Sequence, residues 1–241
     1  MEDGQVRINL WLSRAGICSR READRLIAGG RVTIDGKPAQ AGMKVDASSS
    51  VCLDGKPVDG RQESELLLFY KPRGVVCTTD RRWGDVTVDD VLKYPVRVFS
   101  VGRLDKESEG LLLMTNEGDI LNKILKAGNV HEKEYIVTID RPVPPEMPAA
   151  LSAGVFLEEL GVRTLPCRVR RTGERELRIV LTQGLNRQIR RMCAVFGCRV
   201  TKLVRIRIMN FRLGDLKAGE YRKATGQERE RLKELLKDSH N

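Results

Sequence analysis

The chain has 241 residues, with 43 Lys and Arg against 33 Asp and Glu, a formal net charge of +10 and a pI near 9.5. No apolar run nears the roughly 20 residues that a membrane-crossing helix needs, which excludes a helical membrane protein and leads us to expect a soluble, cytoplasmic one. The six cysteines form no C-x-x-C pair and the two histidines lie far apart, so metal-ligand spacing is absent; the basic excess points instead to a polyanionic partner, nucleic acid above all, although a merely solvated basic surface has the same composition.

The first elements are short helices. Ile8, Trp11 and Leu12 recur at helical spacing within 7–15. Ser19-Arg20-Arg21-Glu22 reads as a capping box opening a second helix, with Ala23, Leu26 and Ile27 as its buried stripe and Gly29-Gly30 as its stop. A strand at 32–34 runs into Asp35-Gly36, a hairpin signal echoed at Asp54-Gly55. These are two turns of one small sheet. A polar linker at 60–64 closes a first domain, 1–62. Arg14, Arg20 and Arg21 cluster at the junction of its two helices, a phosphate-binding arrangement or else a solvated cap.

The second domain, 63–241, alternates strands with a few helices. Strands are expected at 66–69, 75–78, 98–101, 111–114, 134–139, 163–170, 176–181 and 203–209. Helices are expected at 117–127, after Asn186 as far as Phe196, and after the capping box Thr225-Gly-Gln-Glu228. In the strand at 203–209, alternation puts Arg205 and Arg207 on one face. The fold class is α+β with a mixed, mainly antiparallel sheet.

Three features carry chemistry. Val101-Gly-Arg-Leu-Asp105 ends one apolar run, and Leu111 to Met114 forms the next, so a carboxylate sits beside Arg103 on a tight connection between buried strands. On local sequence alone, Asp105 fits a turn former equally well. The helix after Asn186 has Arg187, Arg190 and Arg191 in its first turns, where cations oppose the helix dipole at about 0.3–1 kcal/mol each. Stability alone favours acids there, so the arginines suit phosphates or one carboxylate. Tyr135 is one of few aromatics, and is a stacking platform or a core residue.

Residues 7–53, with Leu12-Ser-Arg-Ala-Gly16, Ser19-Arg-Arg-Glu-Ala23 and Gly30-Arg-Val-Thr-Ile-Asp-Gly36, resemble the S4-type RNA-binding domain. Gly102-Arg-Leu-Asp105, Lys71-Pro-Arg-Gly74, Lys133-Glu-Tyr135 and Gly184-Leu-Asn-Arg-Gln-Ile-Arg-Arg-Met192 resemble the ribosomal RNA pseudouridine synthases, in the branch that carries such a domain. The resemblance covers nearly the whole chain. It implies an isomerase that needs no cofactor or metal, acting as a monomer on structured RNA. Large-subunit ribosomal RNA is the expected substrate, with transfer RNA a second candidate. It implies Asp105 as the catalytic residue, Arg190 as its ionic partner, Tyr135 as the ring that stacks on the extruded uracil and Arg103 as the group that fills the gap or holds the flipped nucleotide. Arg187 and Lys71 would contact substrate, and Arg14, Arg20, Arg21 and Arg191 the RNA backbone. The other class consistent with the basic surfaces is a non-catalytic RNA-binding ribosome-assembly factor, from which Asp105 and Tyr135 discriminate.

Overall fold

The computed structural model describes residues 5–60, 63–78, 82–125 and 131–237. The described chain forms two compact units. One draws on the first 65 positions with Pro95–Arg97 and Asn116–Gly118, the other on the remainder. Residues 61 and 62 of the expected linker, and the end of the helix expected at 117–127, lie outside the described residues.

In the first unit, α1 (Ile8–Arg14) and α2 (Arg20–Ala28) bury Ile8, Leu12, Ala23, Leu26 and Ile27 against Val32, Val45 and Val51. Ser19 Oγ accepts from Glu22 N at 3.1 Å, but the reciprocal half of the expected capping box is not formed, because Glu22 turns to Arg25 at 2.6 Å. Four short antiparallel strands follow, in the order Lys37–Pro38, Val32–Ile34, Val51–Leu53, Lys56–Pro57. Both Asp-Gly turns have positive φ at both residues (51° and 77°, 50° and 75°), the primed geometry that matches strand twist.

The second unit is built on a mixed sheet. Its main strands are β1 (Leu66–Lys71), β2 (Glu109–Thr115), β3 (Lys133–Ile139), β4 (Arg168–Gly173), β5 (Glu176–Leu181), β6 (Val200–Ile208) and β7 (Tyr221–Lys223), with the short strands Phe99–Ser100 and Phe211–Arg212 added beside β2 and β6. Their order is β4-β5-β3-β6-β2-β1-β7, antiparallel throughout except where β6 meets β2. That parallel contact joins two antiparallel halves. On one face, Leu67, Phe69, Leu112 and Met114 pack with Val75, Val88 and Leu92, the last two from α3 (Val88–Leu92). On the same face of the other half, Val137, Leu177, Ile179 and Leu203 pack under α5 (Met147–Ala153) and α6 (Gln188–Ala194). The opposite face of β1 and β2 buries Leu66, Leu68, Leu111 and Leu113 with Ile124 of α4 (Gly118–Leu125) and Leu232 of α7 (Gly226–Leu235). No helix among the described residues is long and apolar enough to cross a membrane.

Several expected elements differ. Residues 75–78 form no strand beyond a single bridge from Val76 to Thr87. The strand expected at 163–170 is two: Val162–Arg163 pairs with Phe156–Leu157, and β4 starts only at Arg168. Pro166 lies in the break and has no N–H to give a ladder. Asn186 does not cap α6. Arg187 occupies the N-cap in the left-handed region, φ 50° and ψ 32°, and its side chain makes no cap bond. Alternation also fails in β6. A register shift opposite Glu134/Tyr135 sets Arg205 across from Tyr135 and Arg207 across from Glu134, so the two arginines face opposite sides of the sheet. Arg207 Nε donates to Glu134 at 2.6 Å and its Nη2 to Glu132 at 2.9 Å.

The parallel junction allows no side chain at Gly110. Its φ is +108°, and a Cβ there would lie 2.4 Å from Arg205 O and 2.7 Å from Arg205 N. Gly110→Ala is therefore expected to destabilise the second unit by well over about 1 kcal/mol, since strain and a backbone clash act together. Chemical unfolding measures this, and a wild-type midpoint would disprove the tight junction.

Candidate active site

A polar row crosses the sheet between the two apolar packings. Lys71 of β1 is in register with Gly110 of β2, Gly110 with Arg205 of β6, and Arg205 with Tyr135 of β3. Residues opposite one another share a face, so Lys71, Arg205 and Tyr135 line one side of the sheet. The loop carrying Asp105 runs directly into β2 and delivers its carboxylate to this row: the charges of Asp105 and Arg205 both act on Lys71.

The loop is fastened at nearly every residue. Leu104 is buried, and its N–H points to Cys77 Sγ at 3.5 Å. Lys106 Nζ pairs with Asp85 at 2.6 Å, and its carbonyl accepts from Gly74 N at 2.7 Å. Ser108 N closes the turn onto Asp105 O at 3.0 Å. Glu107 pairs with Arg187 Nη2 at 3.0 Å, an interaction that holds its carboxyl below the usual range. Arg190 supplies the main clamp: Nη2 donates to Glu107 O at 3.1 Å and to Ser108 Oγ at 3.4 Å, while Nη1 reaches Val200 O at 3.0 Å. The Asp105 side chain itself is half-buried and has no hydrogen-bond or ion-pair partner among the described residues.

The expected direct pair between Arg190 and Asp105 is thus not formed. The guanidinium is taken up by the loop backbone, Ser108 and Val200, and its influence on Asp105 is through position and field. Burial pushes the Arg190 pKa down, while the charges of Glu107 and Asp105 oppose that shift. Arg190 Nε is buried without a partner. Arg191, expected to contact RNA, pairs with Glu159 and donates Nε to Asn186 O at 3.1 Å. Arg103 follows Gly102 (φ 79°) and is exposed. Tyr135 is half-buried against the core under α5 and α6.

Other members of the site are hard to see in the sequence. Arg205 is 3% exposed; its Nε donates to Leu111 O at 2.7 Å and its Nη2 is buried without a partner. Its only sequence signal is a cation inside an apolar strand. Lys133 is driven down in pKa by burial and by Arg205. Lys71 is fully buried, with Nζ donating to Pro72 O at 2.8 Å and Val75 O at 2.7 Å, which shapes the turn after β1. In the other unit, Arg20 and Arg21 form the first turn of α2 and are exposed, while Arg14 is half-buried in α1. Cations thus outnumber carboxylates around Asp105, and the site is suited to an anionic substrate.

The chain is similar to several known proteins. The sequence profile of the RNA pseudouridylate synthase family matches residues 65–195, and that of the S4 domain residues 6–51. The dual-specificity RNA pseudouridine synthase RluF of Escherichia coli (strain K12) is 46% identical over 241 residues, covering 99% of this chain and 82% of that protein. Ribosomal large subunit pseudouridine synthase B of Bacillus subtilis (strain 168) is 33% identical over 98% of both. A crystal structure of a pseudouridylate synthase superposes with a TM-score of 0.70 at 26% identity, covering 94% of this chain and 99% of the other.

Burial pushes the Lys71 ammonium down to about 8 from 10.5; Arg205 adds to that shift, and the charges of Cys77, Asp105 and Glu109 resist it. The folded pKa lies below the unfolded one, so the cost of burying the charge is full below pH 8. It is relieved as pH rises from 8 towards 10.5, where the unfolded chain binds the extra proton and stability climbs with pH. Relative to Lys71→Met, the wild-type protein is expected to gain up to about 3 kcal/mol between pH 7 and pH 10. Denaturant unfolding at the two pH values checks this; a constant difference between the two proteins would contradict it.

Proposed function

The chain belongs to the RNA pseudouridylate synthase family, and on that footing we propose that it converts a specific uridine of large-subunit ribosomal RNA to pseudouridine, with transfer RNA as a second candidate substrate. The observation that carries the reading is Asp105: a carboxylate without a hydrogen-bond or ion-pair partner among the described residues, on a loop whose neighbouring groups are tied down. A group held that way is oriented before substrate arrives, and needs little reorganisation at the reacting atoms.

The reaction is an isomerisation. The bond from uracil N1 to the ribose C1′ breaks, the base turns, and a bond from C5 to C1′ forms. The C5 proton leaves and N1 takes up a proton, so atoms and electrons balance without an oxidant or co-substrate. Asp105 starts the cleavage, as a nucleophile or as the base that removes a sugar proton; a carboxylate serves either role. The target must leave its stack, which costs a few kcal/mol. Tyr135 receives the extruded uracil on its ring. Arg103 stands beside the flipped nucleotide, and Arg190 holds the loop that carries Asp105. Lys71, Arg187 and the buried guanidinium of Arg205 add positive field. The S4 domain, with Arg14, Arg20 and Arg21, holds the structured RNA by its phosphates. We assign the division of labour to a binding domain, 1–62, and a catalytic domain, 63–241. The protein works in the cytoplasm as a monomer, in keeping with its free cysteines.

Asp105→Asn is expected to abolish product formation while leaving RNA affinity equal or higher, because it removes a negative charge near phosphates. Release of tritium from C5-labelled uridine in RNA measures turnover, and near-normal turnover by the variant would remove Asp105 from the reaction. Replacing Arg20 and Arg21 together by Ala is expected to weaken RNA binding and flatten the slope of log affinity against log salt. Each lost phosphate contact takes about 0.7–0.9 from that slope, so two take about 1.4–1.8. An unchanged slope would mean that neither arginine meets a phosphate.

A further inference from the structure

Trp83 is the most exposed large hydrophobic side chain among those described, with 82% of its surface open. The chain has two tryptophans, and the other, Trp11, is half-buried and packs into the core of the first unit. An indole left in water contributes nothing to a core, and such exposure marks interaction surfaces.

Its position gives the exposure meaning. Trp83 sits on a turn with Gly84 at φ 68°. Two residues further on, Asp85 takes Lys106 Nζ at 2.6 Å, and Lys106 is the neighbour of Asp105. Val76 N donates to Val86 O at 2.9 Å and Val88 N to Val76 O at 3.1 Å, tying the turn to the segment that follows Lys71. Consecutive Cα atoms are 3.8 Å apart, so the Trp83 backbone lies within about 8 Å of the Asp85 anchor. Two cations lie nearby in the chain or against the same loop: Arg82 adjoins Trp83, and Arg73 is exposed and acts electrostatically on Glu107 of the loop carrying Asp105.

We propose that Trp83 is a stacking platform for an unpaired base of the substrate RNA beside the target uridine. The proposal rests on the RNA-modifying reading above. Extruding one nucleotide leaves its neighbours without a stacking partner, and a large open ring on a turn fastened to Lys106 of the same loop supplies one. Stacking does not depend on base identity, and the neighbouring cations suit the phosphates on either side of the stacked base. Those cations favour RNA over an apolar protein segment as the occupant.

The full-length protein with a ribosomal RNA hairpin that presents unpaired uridines tests this. In a Trp11→Phe protein, Trp83 is the sole tryptophan, and saturating hairpin is expected to quench its emission. Trp83→Ala is expected to raise Kd about 5-fold to 150-fold, the range that one base–aromatic stack carries. The slope of log affinity against log salt should stay as in wild type, and Trp83→Phe should recover most of the loss. Unchanged Trp83 emission, a wild-type Kd for Trp83→Ala, or a loss that flattens the salt slope and is not recovered by Phe would each overturn the proposal. Pseudouridine formation by the unaltered protein is scored separately; its failure would sink the enzymatic reading, whereas the Trp83 measurements concern binding.

Discussion

The second unit depends on one close approach, the parallel contact between β2 and β6. Antiparallel hairpins can be added one after another, but two sheets joined through a short parallel contact need their backbones to meet without side chains in the way. Gly110 provides that, with a left-handed φ and no Cβ to strike Arg205. The same contact has a chemical consequence. It brings Lys71 on one half and Arg205 and Tyr135 on the other into a single row, and the loop leading into β2 brings Asp105 to that row. The scaffold and the site therefore share an origin: the residue that lets the halves join also sets the separation of the groups on either side.

Around that junction, the protein holds polar groups that a core would normally reject. Lys71 is fully buried, Arg205 keeps a buried amino group without a partner, and Arg190 keeps a buried Nε without one. Buried, unsatisfied donors are costly, and a sheet selected only for stability would replace them with apolar residues of similar volume. On the proposed reading an anionic substrate gains from the same imbalance, because buried cations lend it a fixed positive field without contact. The opposite face of the sheet makes the contrast. There Arg207 and Arg178 are matched by Glu132 and Glu134, so that charge is settled internally and offers nothing to a ligand.

Much of this was legible in the sequence where the signal was local. Both Asp-Gly turns, the stripe of α2, the full capping box of α7 and the carboxylate loop between apolar runs follow from residue types at short spacing. The family resemblance rested on motifs of the same kind. What was not legible depended on tertiary contact. Five-residue α3 is too short to show a helical period. Strand β7 forms because β1 has an edge to cover, and the alternation in β6 was misleading because a bulge changes the register. The clamp of Arg190 on Glu107 and Ser108 spans more than 80 positions, and no local pattern announces it. The single partner that resemblance suggested for Arg190 was Asp105, yet the side chain reaches the loop around Asp105 instead.

That difference bears on the role proposed for Asp105. Had Arg190 bonded Asp105 directly, the substrate would have had to displace a strong charge-assisted hydrogen bond before the carboxylate could act. By holding the backbone on the C-terminal side of Asp105, and leaving the carboxylate open, Arg190 fixes direction without consuming reactivity. An isomerisation needs little more chemistry than this. On the proposed reading the harder task is to bring one uridine out of a folded RNA, which asks more of the groups that would hold RNA than of the one that would react.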